Sequence, residues 1–265
     1  MSNLIVYYRN VHGLRTKLKS LQRTCALLSP PPDIIVLTET YLHPGILDSE
    51  LSLENFVIYR RDRHNTADAP SGGGILIAVK QNLKSQITQV STGDLIIGDV
   101  HASEVEQLFV TISGLRKDTI VGTFYPIPRD DNKIYALHTN TCERIQSEYP
   151  ENELLIIGDY NLPKTIWSNS GLLTDSFEAV CYHEDRAIKE NVNTIEEGFS
   201  FLGFKQFYPV HPDKGYSLDL AFSTFEADNI NVVPSVDSIV PVEALHHDPI
   251  FFSIKNCAMN FLQPK

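Results

Sequence analysis

Residues 154–161 read LLIIGDYN, a run of four apolar residues that ends abruptly in polar ones. A second run of this kind, DIIVLT at residues 33–38, is followed directly by Glu39. Continuous apolar runs of this length are typical of strands buried on both faces of a layered sheet, because a half-exposed strand alternates apolar and polar residues. The two segments therefore predict internal strands with polar residues where each strand ends.

Further short apolar runs are distributed evenly along the chain. They predict strands over residues 4–8, 72–79, 108–113, 119–125, 217–223, 230–233 and 250–254, and helices over 14–28 and 131–149. The stretch from about 164 to 197 is polar and is interpreted as the least structured part, a long surface insertion. Many strands, few helices and no Pro/Gly/Ser-rich linker predict one α/β domain of two packed sheets flanked by helices.

The composition narrows the class of protein. Hydrophobic residues make up 42% of the 265, which is enough for a buried core. No apolar run reaches the roughly 20 residues of a membrane-spanning helix, and no membrane partner is expected. The 22 basic and 33 acidic residues give a net charge of −11, which argues against broad nonspecific binding to nucleic acid. The four cysteines form no CxxC pair and are interpreted as reduced, in an intracellular protein.

Polar residues at strand ends are the candidate functional residues, because a rigid strand can aim an end residue into a cleft. They are Asn10 after LIVYY, Glu39 after DIIVLT, Tyr125 after TIVGTF, and Asp159 and Asn161 after LLIIG. Each one alone is better explained as a turn or cap residue, because Asn and Asp are common where strands end. Asp219, inside YSLDLAF, differs because a carboxylate in an apolar strand is costly unless it is paired. The pair His246-His247 offers a natural hydrogen-bond donor.

The residue types indicate a hard cation. Glu39 and Asp159 are oxygen ligands of the kind that Mg2+ takes, whereas no Cys/His spacing indicates zinc. The chain has neither a P-loop nor a GxSxG motif. The tract Gly72-Gly73-Gly74 precedes a predicted strand instead of a helix, so it is interpreted as a flexible start of that strand and not as a phosphate cradle.

The candidate residues lie in six motifs, which follow one another along the chain as RNVHGLRTK, LTET, FYPIP, GDYN, SLDLAFS and HHDPI. Motifs of these kinds in this order resemble the endonuclease/exonuclease/phosphatase superfamily, which includes the abasic-site endonucleases and deoxyribonuclease I. Four longer segments are similar in sequence to the N-terminal endonuclease domain of non-LTR retrotransposon polyproteins. They are NVHGLRTKL, PDIIVLTETYL, GGGILIAV and GDYNLPKTIW. The resemblance implies a four-layer α/β sandwich of the deoxyribonuclease I type over residues 1–256. It also implies that the tail 257–265 leads to a reverse transcriptase.

The resemblance implies two groups of site residues. Glu39 is expected to be the principal ligand of Mg2+, for which Mn2+ is expected to substitute, and Asn10 is expected to support the metal. The second group acts on the phosphodiester: Asp159 as the base, Asn161 as its partner in positioning the attacking water, Tyr125 and His247 as groups that stabilise charge on the phosphate, and Asp219 as the residue that orients His247.

The last motif departs from the family pattern, in which Ser-Asp-His is usual. This chain has Leu245-His246-His247, and alignment of the following Pro249 makes His247 the catalytic histidine. His246 then stands in place of the aspartate, and an imidazole is a poorer ligand for Mg2+ than a carboxylate. A second metal position is therefore left open. His246 is kept as a candidate ligand or neighbour of the metal, with a histidine of no functional role as the alternative.

Basic residues near the motifs are candidate contacts to the DNA backbone. They are Arg9, Arg15 and Lys17 beside the first motif, and Lys164 after GDYN. Such contacts position a duplex without reading its sequence. The alternative for those in residues 14–28 is the solvated face of an amphipathic helix.

The resemblance also implies the activity and the partners. The chain is expected to nick double-stranded chromosomal DNA in the nucleus, leaving a 3′-hydroxyl that primes reverse transcription of the element RNA by the reverse transcriptase of the same polyprotein. One alternative is a phosphatase of the superfamily that acts on an inositol phosphate or a sphingolipid. The other is an inactive DNA-binding module. The sequence makes no prediction of an oligomeric state.

Overall fold

Two six-stranded mixed β-sheets lie at the centre of the protein. The computed structural model describes residues 3–63, 72–126, 132–169, 177–207, 216–234, 247 and 249–255. The strands are β1 Leu4–Asn10, β2 Ile34–Thr38, β3 Phe56–Arg61, β4 Ile75–Lys80, β5 Lys84–Ile87, β6 Ile96–Ile97, β7 Val100–His101, β8 Gln107–Ser113, β9 Thr119–Phe124, β10 Glu153–Asp159, β11 Thr165–Asn169, β12 Phe177–Cys181, β13 Lys205–Gln206, β14 Asp219–Ser223, β15 Ile230–Pro234 and β16 Ile250–Ile254. The α-helices are α1 Leu14–Leu27, α2 Lys133–Glu148 and α3 Arg186–Phe201.

The two sheets have the same central arrangement. Sheet A has the strand order β15-β16-β1-β2-β4-β3, and sheet B has the order β13-β14-β10-β9-β8-β5. β1 and β2 are parallel and are connected by α1, and β9 and β10 are parallel and are connected by α2. We call residues 4–38 the first β-α-β unit and residues 119–159 the second. Because the strands of each pair are parallel, their carboxyl ends lie at one edge of the sheet.

Alternation along the strands decides which residues lie between the sheets. Every second residue of β1 and β10 belongs to the cluster that both sheets share, and the residues between them pack toward the helices. In β1 the shared positions are Leu4, Val6 and Tyr8, and in β10 they are Leu155 and Ile157. Asn10 and Asp159 continue these two series, so the alternation directs both side chains into the space between the sheets.

Helices cover the outer face of each sheet. Leu14 and Leu21 of α1 pack on sheet A, and α2 and α3 pack on sheet B. The order of layers is therefore helix, sheet, sheet and helix, which confirms the predicted four-layer α/β sandwich. None of the helices in the described part of the chain is long and apolar enough to cross a membrane. Cys25, Cys142 and Cys181 are free, as predicted, whereas Cys257 lies outside the described residues.

The prediction of a poorly structured insertion over 164–197 is wrong. β11 and β12 form an antiparallel ribbon there, and α3 begins at residue 186. Val192, Ile195 and Phe199 of α3 are fully buried, while the other faces of the helix carry the polar residues that make the sequence look solvated. Asp185 caps the helix by accepting a hydrogen bond from the Ala187 backbone N–H at 2.9 Å.

Two other expectations also change. β3, residues 56–61, was not predicted, because its apolar residues occupy only its first part and the strand ends in two arginines. β4 begins at Ile75, so the glycine tract 72–74 precedes the strand instead of opening it. The tail 257–265 lies outside the described residues.

Candidate active site

One asparagine side chain joins the carboxylates of the first and second β-α-β units. Asn10 at the end of β1 donates its amide N–H groups to Glu39 Oε1 at 2.8 Å and to Asp159 Oδ2 at 3.0 Å. The Asn10 Oδ1 atom accepts the backbone N–H of His12 at 3.1 Å, which fixes the orientation of the amide. The two carboxylates that the sequence predicted from separate strands therefore lie side by side in one site.

Glu39 lies on a tightly folded loop after β2. Its Oε2 atom contacts the Tyr41 hydroxyl at 2.7 Å and His12 Nδ1 at 2.8 Å. The backbone of all three residues is left-handed, with φ values of 41° at His12, 52° at Glu39 and 53° at Tyr41. Conformations of this kind are costly for non-glycine residues and are concentrated at functional sites.

The pKa of Glu39 is lowered in spite of its burial. Burial raises the pKa, but hydrogen bonds from Asn10, His12, Tyr41 and Tyr125 stabilise the charged form and together outweigh it. Glu39 is therefore held as a carboxylate, which is the form that a cation binds.

Asp159 has the opposite environment. The side chain is fully buried, and its Oδ1 atom accepts the backbone N–H of Asn161 at 2.9 Å. Burial and the nearby charge of Asp219 raise the pKa of Asp159, while the charge of His247 acts against them. A carboxyl group whose pKa is shifted toward neutrality is suited to general acid and base chemistry.

Asp219 and His247 form a hydrogen-bonded pair across the edge of the two sheets. His247 Nδ1 donates to Asp219 Oδ2 at 2.9 Å, and His247 Nε2 lies 3.8 Å from Asp159 Oδ2. The Tyr8 hydroxyl donates to the other oxygen of Asp219 at 2.6 Å. Although burial lowers the pKa of His247, the charge and hydrogen bond of Asp219 raise it to about 9. His247 is therefore held as an imidazolium near neutral pH.

Tyr125 follows β9 and completes the edge of the site. The residue is 7% exposed and its hydroxyl is hydrogen-bonded to Glu39. Burial and the charges of Glu39 and Asp159 raise the pKa of Tyr125, so it remains a neutral hydrogen-bond donor. The structure thus brings together every described residue that was predicted to hold the cation or act on the phosphate. They are Asn10, Glu39, Tyr125, Asp159, Asn161, Asp219 and His247.

The donor set fits a hard divalent cation on the Glu39 side of the site. Asp159, Asp219 and His247 also place ligand atoms within 4.8 Å of one another. Both oxygens of Asp219 are nevertheless engaged, one by Tyr8 and one by His247. Glu39 is closer to solvent than Asp159 and presents oxygens that prefer Mg2+, Mn2+ or a similar ion. His246 lies outside the described residues.

Two of the predicted DNA contacts require correction. Lys17 is 5% exposed and donates its Nζ atom to the carbonyls of Val11 and His12 at 2.7 and 2.8 Å. Arg9 is 2% exposed and its side chain is hydrogen-bonded to Tyr7. Both side chains lie in the protein interior, because alternation in β1 and the first turns of α1 direct them inward. Arg15 and Lys164 are exposed, as a contact to a DNA backbone requires.

Three residues of the site were not predicted from the sequence. Tyr8 has a detectable signal, because it lies two residues before Asn10 on the same face of β1. His12 and Tyr41 flank the predicted residues, but only the left-handed loop conformation brings them to Glu39.

Comparison with known proteins establishes the family. Residues 10–224 match the Endonuclease/Exonuclease/phosphatase family, and the chain belongs to it. The members of this family are hydrolytic nucleases and phosphatases that depend on a divalent metal. The predicted superfamily is thereby confirmed. A comparison with curated proteins gave no match.

Solved structures of the same fold cover nearly the whole chain. The AP endonuclease LMAP from Leishmania major has a TM-score of 0.63 and 14% identity, over 96% of this chain and 88% of that one. The 3′ phosphatase NExo from Neisseria, bound to a product DNA hairpin, has a TM-score of 0.62 and 14% identity, over 95% and 99%. The endonuclease domain of TRAS1, a telomere-specific non-LTR retrotransposon, has a TM-score of 0.56 and 15% identity, over 96% and 99%.

Proposed function

We propose that the chain is the endonuclease of a non-LTR retroelement, which cuts one strand of double-stranded DNA with the aid of Mg2+ and leaves a 3′-hydroxyl. The observation that carries the proposal is the side-chain amide of Asn10, which donates hydrogen bonds to both Glu39 and Asp159. His247, which is paired with Asp219, places its Nε2 atom 3.8 Å from Asp159 Oδ2. This arrangement offers a cation ligand, a base and an imidazolium in one cleft. The amino-acid sequences of the motifs favour the retroelement branch over the other branches of the family.

The residues divide the hydrolysis among them. The cation, when bound at Glu39, supplies positive charge to the phosphate oxygens. Asp159 accepts the proton of the attacking water while the water oxygen bonds to phosphorus, and Asn161 helps to position that water. The bond from phosphorus to the 3′-oxygen breaks, and this oxygen takes a proton from solvent. The imidazolium of His247 and the hydroxyl of Tyr125 donate to the oxygens on which negative charge develops.

The 3′-hydroxyl product connects the proposed cleavage to reverse transcription. A 3′-hydroxyl is the end that a polymerase extends, so the nicked strand is suited to prime reverse transcription of the element RNA. The partners are then chromosomal DNA in the nucleus, the element RNA and a reverse transcriptase domain of the same polyprotein.

A plasmid assay tests the proposal directly. The purified chain is expected to convert supercoiled plasmid to the open circle with Mg2+ or Mn2+ and not with EDTA, and labelling of the new ends is expected to show a 3′-hydroxyl. Asp159→Ala and His247→Ala should each abolish nicking. Asp228→Asn is the matched control and should nick normally, because Asp228 is an exposed aspartate in the 3-10 turn before β15, and the strand register places the start of β15 at the end of sheet A opposite to Asn10.

Other outcomes distinguish the alternatives. Release of inorganic phosphate from an inositol phosphate or a sphingolipid phosphate, without plasmid nicking, would indicate a phosphatase. Binding to DNA with no cleavage under any divalent ion would indicate an inactive binding module. Nicking that survives in either alanine variant would refute the assigned residues.

A further inference from the structure

A buried ion pair lies behind the active site. Arg63 Nε lies 2.7 Å from Glu106 Oε2, and the two side chains are only 7% and 4% exposed. Burial raises the pKa of Glu106, and the charge of Arg63 acts against this shift. Desolvation offsets much of the attraction between two buried charges, so such a pair is weak evidence for fold stability. Its position indicates a different purpose.

Glu106 joins three segments at the edge of the cleft. One carboxylate oxygen accepts from Arg63, and the other accepts the backbone N–H of Gly74. The backbone carbonyl of Glu106 accepts the backbone N–H of Tyr125 at 3.0 Å. A single residue therefore ties Arg63 and the start of β4 to the segment that carries Tyr125.

Arg63 lies against the ring of Tyr125. The guanidinium carbon is 5.1 Å from the ring centroid, within the range of a cation–π contact. The hydroxyl of the same ring is hydrogen-bonded to Glu39. Tyr125 is thus held between the guanidinium of Arg63 and the carboxylate of Glu39, which is expected to bind the metal.

The glycine tract leaves room for this guanidinium. A Cβ atom at Gly73 would lie 2.2 Å from Arg63 Cζ, and Gly73 has a φ of 72°. The tract is therefore a packing surface for Arg63 and not merely a flexible start of β4. The guanidinium also keeps one buried donor, Nη2, without a hydrogen-bond partner among the described residues. An unsatisfied buried donor costs stability, which favours a functional reason for the arrangement.

We propose that Arg63 is a positioning residue of the active site, which together with Glu106 fixes the Tyr125 ring against Glu39. The proposal rests on the proposed nuclease function and adds a residue to it. The side chain of Arg63 contacts Glu106 and the ring of Tyr125, and its effect on the reaction passes through Tyr125. Removal of Arg63 then misplaces the Tyr125 hydroxyl, and a small misplacement of a catalytic group has a large effect on rate.

A double-mutant cycle tests this relation. Arg63→Met, which keeps the unbranched, flexible part of the side chain and removes the guanidinium, is expected to lower kcat for plasmid nicking by about 10-fold to 100-fold with KM nearly unchanged. Arg63→Lys should recover part of the rate. In the background of Tyr125→Phe, Arg63→Met should cause no further loss, because both changes remove the same hydroxyl contact. Additive losses would overturn the proposal.

A second readout does not depend on nuclease activity. With 3-fluorotyrosine at position 125, the 19F resonance should be single and sharp, and it should shift or broaden in Arg63→Met. An unchanged resonance would overturn the proposal even if the protein does not cut DNA, whereas absence of nicking by the unmodified chain would refute only the proposed function.

Two further variants separate the loss of the Tyr125 contact from unfolding of the chain and from the general effect of removing an arginine. Arg63→Met leaves Glu106 buried without its partner, so Arg63→Met with Glu106→Gln removes both charges and provides a folded variant for the same measurements if the single change unfolds the chain. Arg60→Met is the matched control. Arg60 lies on β3 and is paired with Asp48 at 2.9 Å, and its removal should alter neither kcat nor the fluorine resonance.

Discussion

The first and second β-α-β units place a carboxylate at the same position and give it opposite properties. Glu39 follows the second strand of the first unit, and Asp159 ends the second strand of the second unit. Four hydrogen-bond donors lower the pKa of Glu39, whereas burial and the charge of Asp219 raise that of Asp159. One architecture therefore provides a carboxylate that stays ionised, as the proposed cation ligand requires, and a carboxylate with a higher affinity for protons, as the proposed base requires.

The two units also differ in how their carboxylates are supported. Backbone hydrogen bonds of 2.8 and 3.0 Å tie the Glu39 loop to the helix start at Gly13 and to the glycine tract at Gly74, and the loop is left-handed at three residues. Asp159 is held by packing, since Tyr160 beside it is buried among aromatic residues under α2 and α3. Left-handed backbone at three residues shapes the loop around Glu39, whereas Asp159 combines core packing with one left-handed neighbour, Asn161, whose backbone N–H it accepts.

The largest expected effect separates the two carboxylates. Asp159→Asn removes the base and should lower the nicking rate on the order of 10³-fold at any metal concentration. Glu39→Gln weakens the cation ligand, so it should raise the concentration of Mg2+ that gives half the maximal rate, and excess Mg2+ should restore part of the activity. Titration of Mg2+ in the plasmid assay measures both effects. Equal restoration of the two variants would contradict the division of roles.

The packing that supports Asp159 predicts the next effect. A Cβ atom at Gly158 would lie 2.1 Å from the backbone oxygen of Phe124, so Gly158→Ala should force β9 and β10 apart. We expect a loss of stability of about 3 kcal/mol in urea denaturation. Gly93→Ala is the matched control, because nothing lies within 4 Å of its added Cβ atom. Similar stability of the two variants would show that the second unit is less tightly packed than the structure indicates.

A buried histidine makes the stability of the second unit depend on pH. His138 Nδ1 donates to Gln107 Oε1 at 2.8 Å, and its Nε2 accepts from Tyr160 at 3.1 Å, so the ring is neutral. Burial lowers the pKa of His138 from 6.5 to about 3. Between these values the unfolded chain binds the additional proton, so the contribution is fully present above the unfolded pKa and is lost as the pH falls toward the folded one.

Comparison with His138→Gln isolates this contribution. Between pH 7 and pH 5 the wild type should lose about 2 kcal/mol more than the variant, which has no proton to bind at this position. Urea denaturation at a series of pH values measures the difference. Parallel curves for the two proteins would show that His138 is not held neutral in the folded state.

Much of the fold was accessible from the sequence, for reasons that particular residues show. The apolar runs around Val36 and Ile156 identify buried strands because burial on both faces leaves no polar positions. The contact of Asp219 with His247 was expected, since a buried carboxylate requires a donor. The carboxyl ends of the parallel strands β1 and β2 share one edge of sheet A, and those of β9 and β10 share one edge of sheet B. The residues that follow these strands were therefore expected to lie close together.

What the sequence did not reveal depends on tertiary structure. α3 has few apolar residues, and only its packing against α2 distinguishes it from a solvated segment. Lys17 resembles an exposed basic residue until the loop carbonyls of Val11 and His12 are placed beside it. The partnership of Arg63 and Glu106 joins residues 43 positions apart that no motif connects.

The smallest expected effect concerns how DNA contacts the two units. Arg15 is exposed on α1 of the first unit, and Lys164 is exposed just after the second unit. If each contacts one phosphate, Arg15→Gln and Lys164→Gln should each reduce the slope of log affinity against log salt concentration by about 1. Lys17→Gln should leave the slope unchanged and lower stability instead, because its Nζ atom bonds the loop carbonyls. Fluorescence anisotropy with a labelled duplex, without divalent ions, measures the slopes. A slope that changes only for Arg15→Gln would place the duplex along the first unit alone and exclude Lys164 from the interface.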